Sequence, residues 1–193
     1  MIIREAVKAD MPRIAAINIA RVPEGTRAIW GVDLTAKFYE CYFLEGGPFV
    51  VAEENGSLVG YVMGCYRGTT ARMKFDRARG VVPEADGKYC EHRFPATEYD
   101  CVLLSLAILP EYEGHGVGKC LASAFLEFVR SSGKAANCCV MTQTKNIPGK
   151  HTYQACGYTK ILQDGESVWY GINFSGNYPG GREDRRSWEA EKL

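Results

Sequence analysis

The chain has 193 residues, 46% of them hydrophobic and 24% charged, with a formal net charge of zero. That is enough apolar material for one domain with a real core. Neutrality argues against a nucleic-acid partner, which selects basic surfaces. Neither an amino-terminal signal region nor an apolar run of ~18 residues is present, so no membrane partner is expected and a cytoplasmic protein is.

Ile2–Val7 reads as a first strand, and Asp10 as the cap of a helix through Ala20 with Pro12 in its first turn and Ile14 and Ile17 facing the core. Pro23, Gly25 and Gly31 place residues 21–32 in a loop, after which Asp33 or Thr35 caps a second helix carrying Phe38, Tyr39 and Tyr42. Gly46-Gly47-Pro48 ends it. Phe49–Ala52 and Leu58–Met63 are strands, and Asn55-Gly56 between them is a strong hairpin signal. Residues 66–99 form a long insertion, helical over Thr69–Gly80 and irregular beyond it. Its basic run, Arg72, Lys74, Arg77 and Arg79, is either a solvated helix face or an arm shaping a binding pocket. Cys101–Leu109 is a strand apolar on both faces apart from Ser105, as a buried central strand is.

After Pro110 come Gly114, Gly116 and Gly118, then a helix to Ser132 marked by Val117, Leu121, Phe125 and Phe128. Strand, glycine turn and helix together make an anion site from backbone N–H groups and the positive helix end. A phosphate-binding P-loop fails, because Glu113 stands where its first glycine belongs and Cys120 where a hydroxyl residue belongs. A Gly-x-Gly-x-x-Gly dinucleotide fingerprint fails from either starting glycine. Strands at Ala136–Thr142, Thr159–Leu162 and Val168–Phe174 follow, the last two around Asp164-Gly165. Residues 175–193 are a polar tail. Most of the eight cysteines lie in apolar stretches as reduced core thiols, and neither they nor the three histidines have metal-ligand spacing.

Glu113-Gly-His-Gly-Val-Gly118 resembles the acetyl-CoA signature Arg/Gln-x-x-Gly-x-Gly/Ala of the GNAT superfamily of N-acyltransferases. Asn146, Tyr153, Gly157 and Tyr158 match the second half of that family's site in register, and the strand–helix–helix–hairpin start matches more loosely. The resemblance implies an α/β (α+β) fold over residues 1–174, a mixed central sheet flanked by helices, with 66–99 inserted before the central strand. It implies acetyl-CoA as co-substrate and no metal. The pyrophosphate would lie on the backbone of Glu113, Gly114, His115, Gly116, Val117, Gly118 and Lys119, and the pantetheine arm along Leu106 and Ile108. In that reading the Ile108 N–H stabilises the thioester oxygen, Tyr153 protonates the leaving thiolate, and Asn146 contacts the cofactor or orders a water.

Glu113 departs from the signature. A carboxylate ~6 Å from a phosphate, at an effective dielectric of ~20, costs roughly 3 kcal/mol. Either it points away, or His115 and Lys119 compensate. The general base is not selected by the sequence; Glu91, His92, Glu98 and Asp100 flank the central strand. The expected activity is acetyl transfer to a small-molecule amine, such as an amino sugar. Peptide or protein acetylation and a catalytically weak acyl-CoA-binding module are the alternatives, and a homodimer is left open.

Overall fold

Seven strands form one sheet: β1 (Ile2–Glu5), β2 (Phe49–Glu54), β3 (Ser57–Tyr66), β4 (Cys101–Ile108), β5 (Asn137–Gln143), β6 (Thr159–Asp164) and β7 (Ser167–Asn173). Their order in the computed structural model, which describes residues 1–80 and 99–174, is β1-β2-β3-β4-β5-β7-β6. The expected irregular segment at 81–98 and the polar tail at 175–193 lie outside the described residues. The described residues also form the α-helices α1 (Met11–Arg21), α2 (Thr26–Leu44), α3 (Ala71–Ala78), α4 (Val117–Ser131) and α5 (Ile147–Ala155). None of them is long and apolar enough to cross a membrane.

The helices cover both faces of the sheet. On one face Ile14 and Ile17 of α1, Phe38 and Tyr39 of α2 and Phe75 of α3 pack on Val51, Tyr61 and Met63. On the other, Val117, Leu121, Phe125 and Val129 of α4 and Tyr153 of α5 pack on Val62, Leu103 and Val140. The stripe predicted for α4 is present, except that Val129 completes it while Phe128 is only half-buried. A polar chain crosses the first face: Asn18 Nδ2 donates to the Tyr61 hydroxyl at 2.8 Å, which lies 2.8 Å from the Tyr39 hydroxyl and 2.7 Å from Ser105 Oγ. It ties α1, α2, β3 and β4 together through groups that burial would otherwise strand.

All strand pairs are antiparallel except β4 with β5, which run parallel over Cys101–Cys138, Val102–Cys139 and Leu103–Val140 only. Beyond Leu103, β4 has a partner among the described residues on the β3 side alone. The break coincides with a register slip between Met63 and Gly64 on β3. A Cβ at Gly64 would lie 2.4 Å from the Val102 carbonyl oxygen and 2.6 Å from the Phe125 ring, so only glycine lets β3, β4 and α4 meet there. Bulges of this kind bend and twist a strand locally. Four buried thiols gather around the remaining joint, Cys65, Cys101, Cys138 and Cys139. The hydrogen bond to Cys138, and then burial, hold the Cys101 thiol far above the usual range, and burial pushes Cys139 up to about 12.

Several expectations are corrected. Residues 26–30 are helical rather than loop: α2 begins at Thr26 and breaks only at Gly31 (φ 73°, ψ 176°), a conformation nearly closed to other residues. Thr35 does not cap a helix; its buried hydroxyl donates across the break to the Arg27 carbonyl at 3.0 Å. The Asp10 carboxylate makes no cap bond to α1. It accepts the Val7 N–H at 2.8 Å and pairs with Arg4, and that bonding overcomes the cost of burial to hold the carboxyl below its ordinary range. The basic run on α3 is largely solvated, with Lys74, Arg77 and Arg79 exposed and Arg72 half-buried, but most of its cations are also paired. Arg72 and Arg79 both pair with buried Asp76, Arg72 lies over the Trp30 ring and Arg79 over Trp30 and Phe75, and Lys74 pairs with Glu45. The hairpin is as read: Asn55 and Gly56 both have positive φ (51° and 76°), as a two-residue primed turn requires.

The geometry at Gly64 makes a stability prediction. Gly64→Ala forces a methyl group against backbone and ring, and should cost about 1–3 kcal/mol. Urea unfolding followed by circular dichroism should show a lower midpoint with an unchanged slope; an unchanged midpoint would mean the sheet relaxes freely at the slip.

Candidate active site

The chain leaves β4 through a single 3-10 turn, Pro110–Tyr112, and enters α4 across Glu113, Gly114, His115 and Gly116. Gly114 and Gly116 have φ of 76° and 80°. A Cβ at either would meet nothing within 4 Å, so the backbone bend rather than crowding demands glycine, and the outer side of the turn is open. The first N–H groups of α4 lack intrahelical partners by construction, and its first turn holds no acidic residue. An anion fits there. Gly118, in contrast, is buried: a Cβ on it would stand 3.0 Å from Ile108 Cδ1 and 3.7 Å from Thr152 Oγ1. That close approach brings the end of β4, the start of α4 and the Tyr153 turn of α5 to one place.

Glu113 turns away from the glycine turn and forms an ion pair with Arg21 at the end of α1. His115 is exposed, with Nδ1 2.8 Å from the Glu113 carbonyl oxygen, and Lys119 is exposed on the first turn of α4. The carboxylate is thus neutralised by a cation that the motif itself does not contain.

Hydrogen-bond parity decides which β4 groups are free. The Leu109 N–H donates to the Val59 carbonyl at 2.8 Å. Alternation along the strand then turns Ala107 toward β3 as well, and leaves the N–H and C=O of Leu106 and Ile108 on the side from which β5 has departed. Their side chains sit half-buried against the α4 cluster.

Tyr153 belongs to the same cluster. Its ring is 6% exposed and packs edge-on to Tyr158 at 5.9 Å and beside Tyr170 at 6.4 Å. None of the described residues hydrogen-bonds its hydroxyl. Burial pushes the phenol up to about 12, so it carries its proton throughout the physiological range. Asn146 caps α5: its Oδ1 accepts the Gly149 N–H at 3.1 Å and its Nδ2 donates to Thr142 Oγ1 at 2.8 Å. Gly157 (φ 90°) ends that helix, and Tyr158 is buried with its hydroxyl on Cys138 Sγ at 3.4 Å.

Of the candidate bases, Asp100 is placed at the wrong end of β4. It accepts the Ala136 N–H at 2.9 Å and lies eight residues from Ile108, roughly 25 Å along an extended strand. Glu91, His92 and Glu98 lie outside the described residues. Among those described, no group of three or more histidine, cysteine or acidic residues is arranged to hold a metal ion.

The sequence reading missed a second feature. A cavity of about 500 Å³ opens on the α1–α2 face, lined among others by Asn18, Arg27, Trp30, Phe38 and Arg72. Arg27 lies over the Phe38 and Tyr39 rings at 5.1 and 5.4 Å from their centres. Reading 21–32 as loop hid this wall; Arg27 and Trp30 three apart, just before a glycine, were the available signal.

Comparison with known proteins agrees with this geometry. The family model for the acetyltransferase (GNAT) family matches residues 15–158. An L-amino acid N-acyltransferase of Escherichia coli is 30% identical over 169 residues, covering 84% of this chain and 82% of its own. An L-methionine sulfoximine/L-methionine sulfone acetyltransferase of Salmonella typhimurium is 29% identical over the same shares. Among solved structures, a ribosomal-protein-alanine N-acetyltransferase from Brucella melitensis superposes with a TM-score of 0.64 at 19% identity, covering 90% of this chain and 100% of that one. An acetyltransferase from Salmonella typhimurium, solved with acetyl-CoA, gives 0.62 at 22% identity, covering 89% and 92%. The chain belongs to the GNAT family of acetyltransferases, enzymes that draw an acetyl group from acetyl-CoA.

Proposed function

We propose that this enzyme acetylates the primary amine of a small molecule of the amino-acid class, by direct transfer from acetyl-CoA. The observation that carries the reading is the unpaired β4 edge at Leu106 and Ile108, which meets the glycine turn and the Tyr153 helix at Gly118. The activities of the two N-acyltransferase relatives favour amino acids as acceptors over the amino sugar expected from sequence. The ion pair of Glu113 with Arg21 weakens the case for a binding module without turnover, because the charge that would have opposed cofactor phosphates is already matched.

Each group has a task that its surroundings suit. The backbone N–H groups of residues 114–118 receive the pyrophosphate, with Lys119 and His115 at the rim. The free groups of Leu106 and Ile108 receive the amide-like pantetheine arm as an added strand would be received. Acetyl-CoA supplies an activated thioester. The Ile108 N–H, fixed in direction by the strand, stabilises negative charge growing on the carbonyl oxygen. Tyr153 donates its proton to the departing sulfur. A phenol near 12 is a weak acid toward an ordinary thiolate, whose acid is near 8.5 in water. The apolar wall that raises the phenol also destabilises a thiolate beside it, so proton transfer between them remains accessible. Asn146 acts by fixing the first turn of α5, and one lone pair of its Oδ1 stays available to cofactor or water.

Three outcomes follow from these roles. Acetyl-CoA should raise the melting temperature while ATP and NAD should not, with about 2.7 kcal/mol gained at a hundredfold excess over Kd; stabilisation by ATP or NAD alone would contradict the site. Tyr153→Phe should lower kcat by roughly 10²–10⁴-fold with CoA affinity little changed. A tyrosine with only a packing role would instead lose about 1 kcal/mol of stability and keep its turnover. Arg21→Gln, which uncovers the Glu113 charge, should weaken CoA binding several-fold, about 1 kcal/mol for a half-exposed pair. Adding Glu113→Gln should restore it, and calorimetric titration of both variants reads the difference.

A further inference from the structure

We infer that Arg27 anchors the carboxylate of the acceptor, in the cavity between α1, α2 and α3, and so selects amino acids over simple amines. This rests on the amino-acid reading above and adds the group that would enforce it. Three observations carry it.

The first is charge. Among the described residues the cavity is lined by two cations, Arg27 and Arg72, and by no carboxylate. Arg72 is committed to Asp76 at 2.6 Å. Arg27 is half-buried, and among the described residues no acidic side chain pairs with it. A guanidinium in that position keeps donors for an incoming anion, and its planar fork matches a carboxylate.

The second is placement. Arg27 is held from two sides: its side chain lies over the Phe38 and Tyr39 rings, and its carbonyl is gripped by the Thr35 hydroxyl across the Gly31 break. Asn18, another lining residue, bonds to Tyr61, which reaches Ser105 on β4. Burial raises the hydroxyls of Tyr39 and Tyr61, and the Arg27 charge acts in the opposite direction on both. The cation therefore lies within electrostatic reach of a polar chain that ends three residues from Ile108. In this inference a carboxylate held on Arg27 has its α-amine on the β4 side of the cavity, where the polar chain through Asn18 and Tyr61 reaches Ser105.

The third is size and lining. A cavity of about 500 Å³ with Trp30 and Phe38 on its wall accommodates a single amino acid with an apolar or polarizable side chain.

The test compares each of a panel of L-amino acids with its own carboxamide, which keeps shape and amine but removes the charge. Free-thiol release gives kcat/KM for both members in wild type, Arg27→Gln and Arg27→Lys. In wild type the acid should be the better member of at least one pair. Arg27→Gln should lower the acid-to-amide ratio by roughly 10- to 100-fold, through KM on the acid. Arg27→Lys, which keeps charge but loses the fork, should fall between; it also serves if the glutamine variant folds poorly. Equal loss on acid and amide in both variants would make Arg27 a structural residue and overturn the inference. Turnover only of amines without a carboxylate, or only of a phosphorylated amino sugar, would overturn the carboxylate assignment while leaving the transferase reading intact. No thiol release with any amine, despite a melting shift with acetyl-CoA, would instead defeat the transferase reading itself.

Discussion

The parting of β4 from β5 after three residue pairs is the constraint on which the rest of the structure depends. Backbone groups left without a partner inside a protein are costly, and strands in a sheet normally satisfy them along their whole length. Here the sheet forgoes that pairing at its centre. The slip at Gly64, the tight seat of α4 over it and the near-contact of Gly118 with Ile108 all hold the strands in this arrangement. An amide-bearing ligand can then complete the ladder, displacing water from groups already aimed at it.

The charges follow a related pattern. The chain is neutral overall, yet the ion pairs among the described residues distribute its charge unevenly. At the glycine turn, Arg21 pairs with the Glu113 carboxylate. On the α1–α2 face, Asp76 is shared by Arg72 and Arg79 while Arg27 is left to the aromatic rings. Local allocation, rather than net charge, sets what each site attracts.

Much of this was legible in the sequence, and the reasons are specific. The α4 stripe shows because burial repeats with the helix period, and the Asn55-Gly56 hairpin because few residues tolerate two positive φ angles in succession. Tyr153 and the glycine turn show through resemblance to a family. The first turns of α2 did not, because Gly25 and Gly31 look like loop residues until the single left-handed angle at Gly31 reveals two helical pieces joined at a break. Nor did the strand separation: Cys101 to Ile108 is apolar apart from Ser105, and a strand closed on both edges would read the same. The partner of Glu113 was equally hidden, since Arg21 and Glu113 are distant in sequence and meet only once α1 lies beside the glycine turn.

The cysteines at the β4–β5 joint have a consequence of their own. Cys101 and Cys138 face each other across the rungs that join β4 to β5, and both are shut away from solvent. Their inaccessible sulfurs are inert to alkylating reagents while the rungs hold, whereas Cys120, on the surface, is open to reagent from the start. The slow phase of labelling is thus a clock for the opening of that joint, written into the protein without any added probe.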